Sequence, residues 1–221
     1  MWRNVVKLGN CLGDIEDIAR RKQLASMAFT KMKEAWLDGQ AVSLDKKVEL
    51  LDALVMSVLL YNSSCLGLRK VDVNSIDSFH RHLLRQISNI RYPNTISSKK
   101  LYKTTKSRPA SIRIIEARWK YFGHALRLPL DTPPQHAMSY YFTDLHKQRF
   151  PGAKRTTIVT TLQTDIKKTK EKFPNFQVNS LSCFQDLIKI RQIASDRKLL
   201  QKIVNSVVNT AEAEHQEGLT D

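Results

Sequence analysis

Three cysteines, six histidines and twenty-one acidic residues are the groups from which a catalytic or metal centre would have to be built. Cys11, Cys65 and Cys183 lie far apart and show neither CxxC nor Cys/His knuckle spacing, so they support no disulfide framework and no zinc site. His80 and His82 are two apart, which does not place them on one helical face; both read as surface or packing residues. Asp186, Asp196, His124 and His136 can be arranged into an acid–base site on paper, but no spacing demands it. There is no HExxH, no glycine-rich phosphate loop and no adjacent Asp-Asp pair. What remains is positive charge. Between Ile112 and Leu128, residues Arg113, Lys120, His124 and Arg127 fall on one arc at about 100° per residue, while Ile112, Ile115, Trp119, Phe122 and Leu126 fall roughly opposite. Such a helix packs its greasy face and can offer its basic face to phosphate. The plain alternative is a solvated charged face, which is what most charge runs are.

The surrounding charge favours phosphate. Nine Lys or Arg lie between Lys99 and Arg127 against one acid, Glu116. Lys99, Lys100, Lys103 and Lys106 precede the helix and can extend its patch. Lys154 and Arg155 close a second basic stretch, Lys147 to Arg155, with Pro151-Gly152 as its turn. His124 serves equally well as a helix-surface histidine holding a structural hydrogen bond. Tyr102 and Tyr121 can stack on bases if exposed, whereas Trp119 sits in the apolar stripe and belongs to a core. The whole chain carries 36 Lys and Arg against 21 acids, a net charge of +15 over 221 residues, with a pI near 9.9. That excess points to a polyanion, nucleic acid first and an anionic membrane surface second. Scattered thiols suit an intracellular compartment, nuclear or cytoplasmic. No apolar run reaches the length of a bilayer span.

The elements that must position these residues read as helices. With 42% hydrophobic residues, only seven Gly and seven Pro, and repeated 3.6-residue stripes, the expected class is mainly α. Met1 to Asn10 reads as a short strand or extended tail. Asp14 opens a helix to about Leu37 with Ile15, Ile18, Ala25, Phe29, Met32 and Trp36 inward, and Arg20, Arg21, Lys31 and Lys33 outward. Ser43 caps a second helix to about Ser63, apolar from Leu50 to Leu60 and therefore expected to be central and buried. A third runs from Asp72 or Asn74 to Pro93, with Arg81 and Arg85 outward. Ser97 caps a short helix, and Ser107 and Pro109 precede the basic one, which Pro129 and Pro133-Pro134 stop. Further helices are expected over 136–145, 158–170 and 181–208, ahead of a fraying acidic tail from Thr210.

Several blocks, in order, resemble the region downstream of the polymerase palm in non-LTR (LINE-like) retrotransposon reverse transcriptases. Val6-Lys7-Leu8-Gly9 is similar to the segment that closes the palm. Asp17-Ile18-Ala19-Arg20-Arg21, with Ala25, Ala28 and Phe29, resembles the helix after it. Leu59-Leu60-Tyr61-Asn62, Phe79 to Arg85, and Ile90-Arg91-Tyr92-Pro93 resemble successive later blocks. The most distinctive is Arg118-Trp119-Lys120-Tyr121-Phe122-Gly123-His124-Ala125-Leu126-Arg127. Pro151 to Thr157 and Ile193 to Arg197 follow in family order. Leu66 departs from the pattern where a Trp is usual.

The resemblance implies a thumb-and-connection region: residues 1–10 as the end of a palm, 11–134 as a multi-helix thumb-like domain, and 135–221 as a smaller helical C-terminal part. It implies RNA or an RNA–DNA hybrid as partner, together with the palm portion of the polymerase, and no membrane. The two magnesium ions of such an enzyme are held by palm aspartates, and with no Asp-Asp pair present no cofactor and no polymerase activity are expected of these residues alone. The nucleic-acid-binding set is then Lys99, Lys100, Lys103, Arg113, Lys120, His124, Arg127, Lys154 and Arg155. A helical protein–protein adaptor, using Val5, Val6 and Leu8 as an apolar patch, is the alternative.

Overall fold

Serine and threonine hydroxyls, carboxylates and prolines start the helices of this chain, and the apolar stripes decide which faces close. A computed structural model describes residues 5–7, 9–11, 13–37, 42–142, 156–178 and 180–218. The protein is mainly α. Two two-residue strands, β1 (Val6–Lys7) and β2 (Asn10–Cys11), pair antiparallel around Gly9, whose φ of 83° suits a residue without Cβ. No other strand occurs among the described residues. The chain forms two compact units, Met1–Ile114 with His215–Asp221, and Ile115–Glu214. These divisions fall within helices and do not coincide with the breaks at 10/11 and 134/135 that the sequence suggests. Prolines were the signal for the second break, yet Pro133-Pro134 opens a helix, where a missing N–H costs nothing.

In the first unit, α1 (Asp14–Met32) continues as a π-helical segment, Lys33–Leu37. Ile18, Ala25, Phe29 and Met32 are buried as the stripe predicts, but Ile15 and Trp36 at its ends are exposed. Arg21, expected outside, is buried because it latches the hairpin. It donates to Gly9 O and to Asn10 Oδ1, lies 4.4 Å over the Tyr61 ring, and stands 3.6 Å from the fully buried Asp17. Asp17 in turn accepts from Cys11 N–H at 2.8 Å. Ser43 caps α2 (Leu44–Leu50), which runs on through a π segment, Leu51–Met56, into α3 (Ser57–Leu59). Leu51, Val55 and Leu59 recur every four residues and face the core, as the wider π turn allows. This helix is not wholly buried: Ala53, Leu54 and Ser57 face solvent, because only one side packs on α1. α4 (Lys70–Ile87) and α5 (Ser98–Thr105) complete the layer with Ile76, Leu83, Leu84 and Leu101. Ser97 Oγ accepts from Lys100 N–H at 3.3 Å, the expected cap.

α6 (Ala110–Leu126) gives its first turn to this unit and the rest to the second. In the second unit it is joined by α7 (Pro133–Tyr141), α8 (Ile158–Lys172), α9 (Phe184–Ser195) and α10 (Arg197–Gly218). The core holds Trp119, Leu126, Leu162, Ile166, Leu181 and Val204. The single closing helix expected over 181–208 is two helices. Asp196 is extended, and its Oδ1 accepts from Lys198 and Leu199 N–H, which makes it the cap of α10. The segment from Thr210 does not leave the helix; it remains in α10 to Gly218, with Thr210 buried and His215 returning to the first unit.

Candidate nucleic-acid interface

In the first unit the cations cluster after α4. From Ser78 to Ile114 there are nine Lys or Arg and no Asp or Glu, a run that no helical-wheel argument isolates because it crosses three elements. α4 ends where Asn89 takes a left-handed φ of 53°, with Ile90 N–H donating to Arg85 O at 2.9 Å and Asn89 N–H to Gln86 O at 3.1 Å. Ile90 and, beyond the loop, Ile96 pack against the core. Between them residues 91–95 are exposed, in a turn that Asn94 N–H closes on Arg91 O at 2.9 Å. α5 follows and carries Lys99, Lys100 and Lys103, all exposed. These three and Arg91 make no ion pair among the described residues.

Other cations of the run are used internally. Lys106 pairs with Asp45 at 3.2 Å. Arg113, assigned by its helical arc to phosphate, grips Asp52 with both terminal nitrogens at 2.8 Å. Its Nε donates to Arg108 O at 3.2 Å and Nη2 also to Ser107 Oγ at 3.2 Å. Ser107 is therefore not the helix cap; its hydroxyl lies 3.4 Å from His80 Nε2, and with Arg113 donating to the oxygen, the hydroxyl proton is left for the ring. Burial, helped by the Arg113 cation, pushes His80 down to about 4, so it stands neutral. The cap of α6 comes from α4 instead. Asp77 Oδ1 accepts from Ser111 N–H at 2.8 Å, and Oδ2 lies 3.7 Å from His215 Nε2. Burial pushes the Asp77 carboxyl up, but His215 and the Ser111 amide outweigh it and hold it below the ordinary carboxylate value. Tyr102 is buried between His80 and His215, with ring centroids at 6.0 and 5.6 Å, so it is no stacking platform; burial, and then the Asp77 charge, raise its hydroxyl to about 12.

In the second unit, Lys120 and His124 are exposed along α6, and Lys120 Nζ pairs with Glu116 at 2.6 Å one turn back. Arg127 is half-buried and donates to Ala194 O, in the last turn of α9, at 3.3 Å. Arg191 of α9 returns the contact, donating to Leu128 O at 3.2 Å just past α6. Each arginine thus serves the other helix's C-terminal end, where carbonyls lack partners and the dipole favours a cation. Beneath them, Trp119 Nε1 donates to Asp165 Oδ2 at 3.0 Å, and Arg118 stands 3.6 Å from the same oxygen. Burial raises the Asp165 carboxyl despite Arg118 and the indole, and burial likewise lowers Arg118 despite Asp165.

The acid–base set drawn on paper is not assembled. Asp186 accepts from Ser180 and Ser182 hydroxyls and from the Ser182 amide at the start of α9, which holds its carboxyl well below the ordinary range. Asp196 caps α10, and His124 and His136 face solvent. No group of three His, Cys, Asp or Glu among the described residues is placed to hold a metal. Lys154 and Arg155 lie outside the described residues, as does the Pro151-Gly152 turn. No described helix is long and apolar enough to cross a membrane. No family model, no curated protein and no solved structure matches this chain.

Proposed function

We propose that this chain is a nucleic-acid-binding helical module, related to the region C-terminal to the palm of a non-LTR retrotransposon RNA-directed DNA polymerase, and that it grips RNA or an RNA–DNA hybrid through the first unit. The acid-free run from Ser78 to Ile114 carries this reading, with Arg91, Lys99, Lys100 and Lys103 exposed and making no ion pair among the described residues. Cations in that state displace counterions from phosphate, which supplies affinity independent of base sequence. The ordered sequence blocks supply the family. The module works beside a palm that brings its own aspartates and magnesium ions, and alone it extends no primer.

The test is a binding titration on RNA at several salt concentrations. Substituting Lys99, Lys100 and Lys103 together by Ala lowers the salt slope by about two units and weakens all sequences alike. A matched triple at Lys167, Lys170 and Lys189, exposed cations of the second unit, leaves the slope unchanged. Equal losses from both triples would reduce the attraction to diffuse charge. The adaptor reading draws on Val5 and Val6, 52% and 46% exposed; it takes over if the unaltered protein binds no RNA near physiological salt.

A further inference from the structure

Tyr92 is 94% exposed, more than any other large apolar side chain among the described residues, and well beyond Val71 at 71%. A ring fully in water gains nothing from folding, and both of its faces are open to a ligand. The backbone that carries it is nonetheless well anchored. Ile90 and Ile96, half-buried, pack against the core at either foot, the α4 terminus is closed by two hydrogen bonds, and the tip is closed by Asn94 N–H on Arg91 O. An anchored loop loses little freedom when it docks.

Its surroundings choose the partner. Arg91 precedes Tyr92 in the chain and is exposed, Lys99 and Lys100 open the next helix, and no acid occurs from Ser78 to Ile114. An aromatic in a stretch of cations that make no ion pair among the described residues fits a ligand with flat faces on an anionic backbone, whereas an apolar protein partner would leave those charges opposite nothing. We infer that Tyr92 is a base-stacking residue, and that this loop with α5 holds a single-stranded stretch of nucleic acid, one unpaired base on the ring and its phosphates on Arg91, Lys99 and Lys100. The inference rests on the nucleic-acid-binding reading above and adds that unpaired bases are part of what is recognised. A duplex keeps its bases stacked on each other and cannot supply that contact.

The experiment compares the unaltered full chain with Tyr92→Ala and Tyr92→Phe on three probes: a short oligouridylate, an RNA duplex of equal length, and inorganic polyphosphate, which has the charge and no bases. Tyr92→Ala weakens oligouridylate about tenfold, in the range of one lost stack, and leaves duplex and polyphosphate unchanged. Tyr92→Phe binds like the unaltered chain, because the ring and not the hydroxyl carries the contact. An oligouridylate affinity untouched by Tyr92→Ala but reduced by the Lys99, Lys100, Lys103 triple overturns the stacking role alone and leaves Tyr92 to a protein contact. Equal losses on all three probes also overturn it. Failure of the unaltered chain to bind any probe removes the nucleic-acid reading and this inference with it.

Discussion

Positive charge does two kinds of work in this chain. In the second unit, beside exposed lysines such as Lys167 and Lys170, three arginines are fasteners: Arg118 is 4% exposed beside Asp165, and Arg127 and Arg191 donate to each other's helix ends. In the first, Arg113 is such a fastener on Asp52, but Arg91, Lys99, Lys100 and Lys103 stand in water. A count of basic residues treats both groups alike. What separates them is whether an acceptor lies within reach. A cation already facing a carboxylate or carbonyl has less to offer a phosphate, and removing it disturbs the fold rather than the affinity.

The sharpest way to break that contrast is Asp165→Ala. It leaves Arg118 and the Trp119 indole without their acceptor, and an unpaired buried charge costs about 3–5 kcal/mol. Thermal unfolding should show a large drop in Tm, with RNA affinity unchanged while the protein is folded. A small shift in Tm would mean that Arg118 reaches water and fastens nothing.

Next comes pH, read on the first unit. His80 sits near 4 when folded against its ordinary 6.5, so the unfolded chain binds its proton first as the medium acidifies. The stability from a neutral His80 is whole above 6.5 and is lost as pH falls toward 4, about 3 kcal/mol in all. Denaturant unfolding across that window should show this slope, and His80→Gln should flatten it. An unchanged slope would assign the acid sensitivity to other groups.

The smallest effect sharpens the contrast most. Arg127 belongs to the phosphate set by its helical arc but to the α9 terminus by its contact. Arg127→Ala should cost about 1 kcal/mol of stability and leave the salt slope where it was. A lowered slope with unchanged stability would return Arg127 to the interface.

The local features were legible. The Ser43 and Ser97 caps, the burial of Ile112, Trp119, Phe122 and Leu126, and the exposure of Lys120 and His124 all follow from spacing along one helix, although Ile115 of the same stripe is only half-buried and Ile114 is buried beside it. What sequence could not show is long-range partnership. Asp52 meets Arg113 across 61 positions, and Asp165 meets Trp119 across 46; nothing local marks either acid. Helical phase places Arg113 on the polar arc, and its side chain is partly exposed where Ile112 is buried; the phase is silent on which acceptor another helix brings there. The split at Asp196 was missed for a related reason. The apolar stripe runs on through it, with Ala194 and Leu200 both buried, so periodicity masks a change of backbone direction that one carboxylate cap produces.

The Asp77 cap gives α6 a dependence that its own residues do not reveal. The Ser111 amide finds its acceptor 34 residues upstream, on α4, and not in the Ser107–Pro109 lead-in. A peptide cut from Ser107 to Leu128 would therefore start its first turn with that amide turned to water, and would fray there even though its stripe is strong. In the whole chain that amide is held only while α4 stands beside it, so a change at Asp77 is felt at the first turn of α6 as well as on α4 itself.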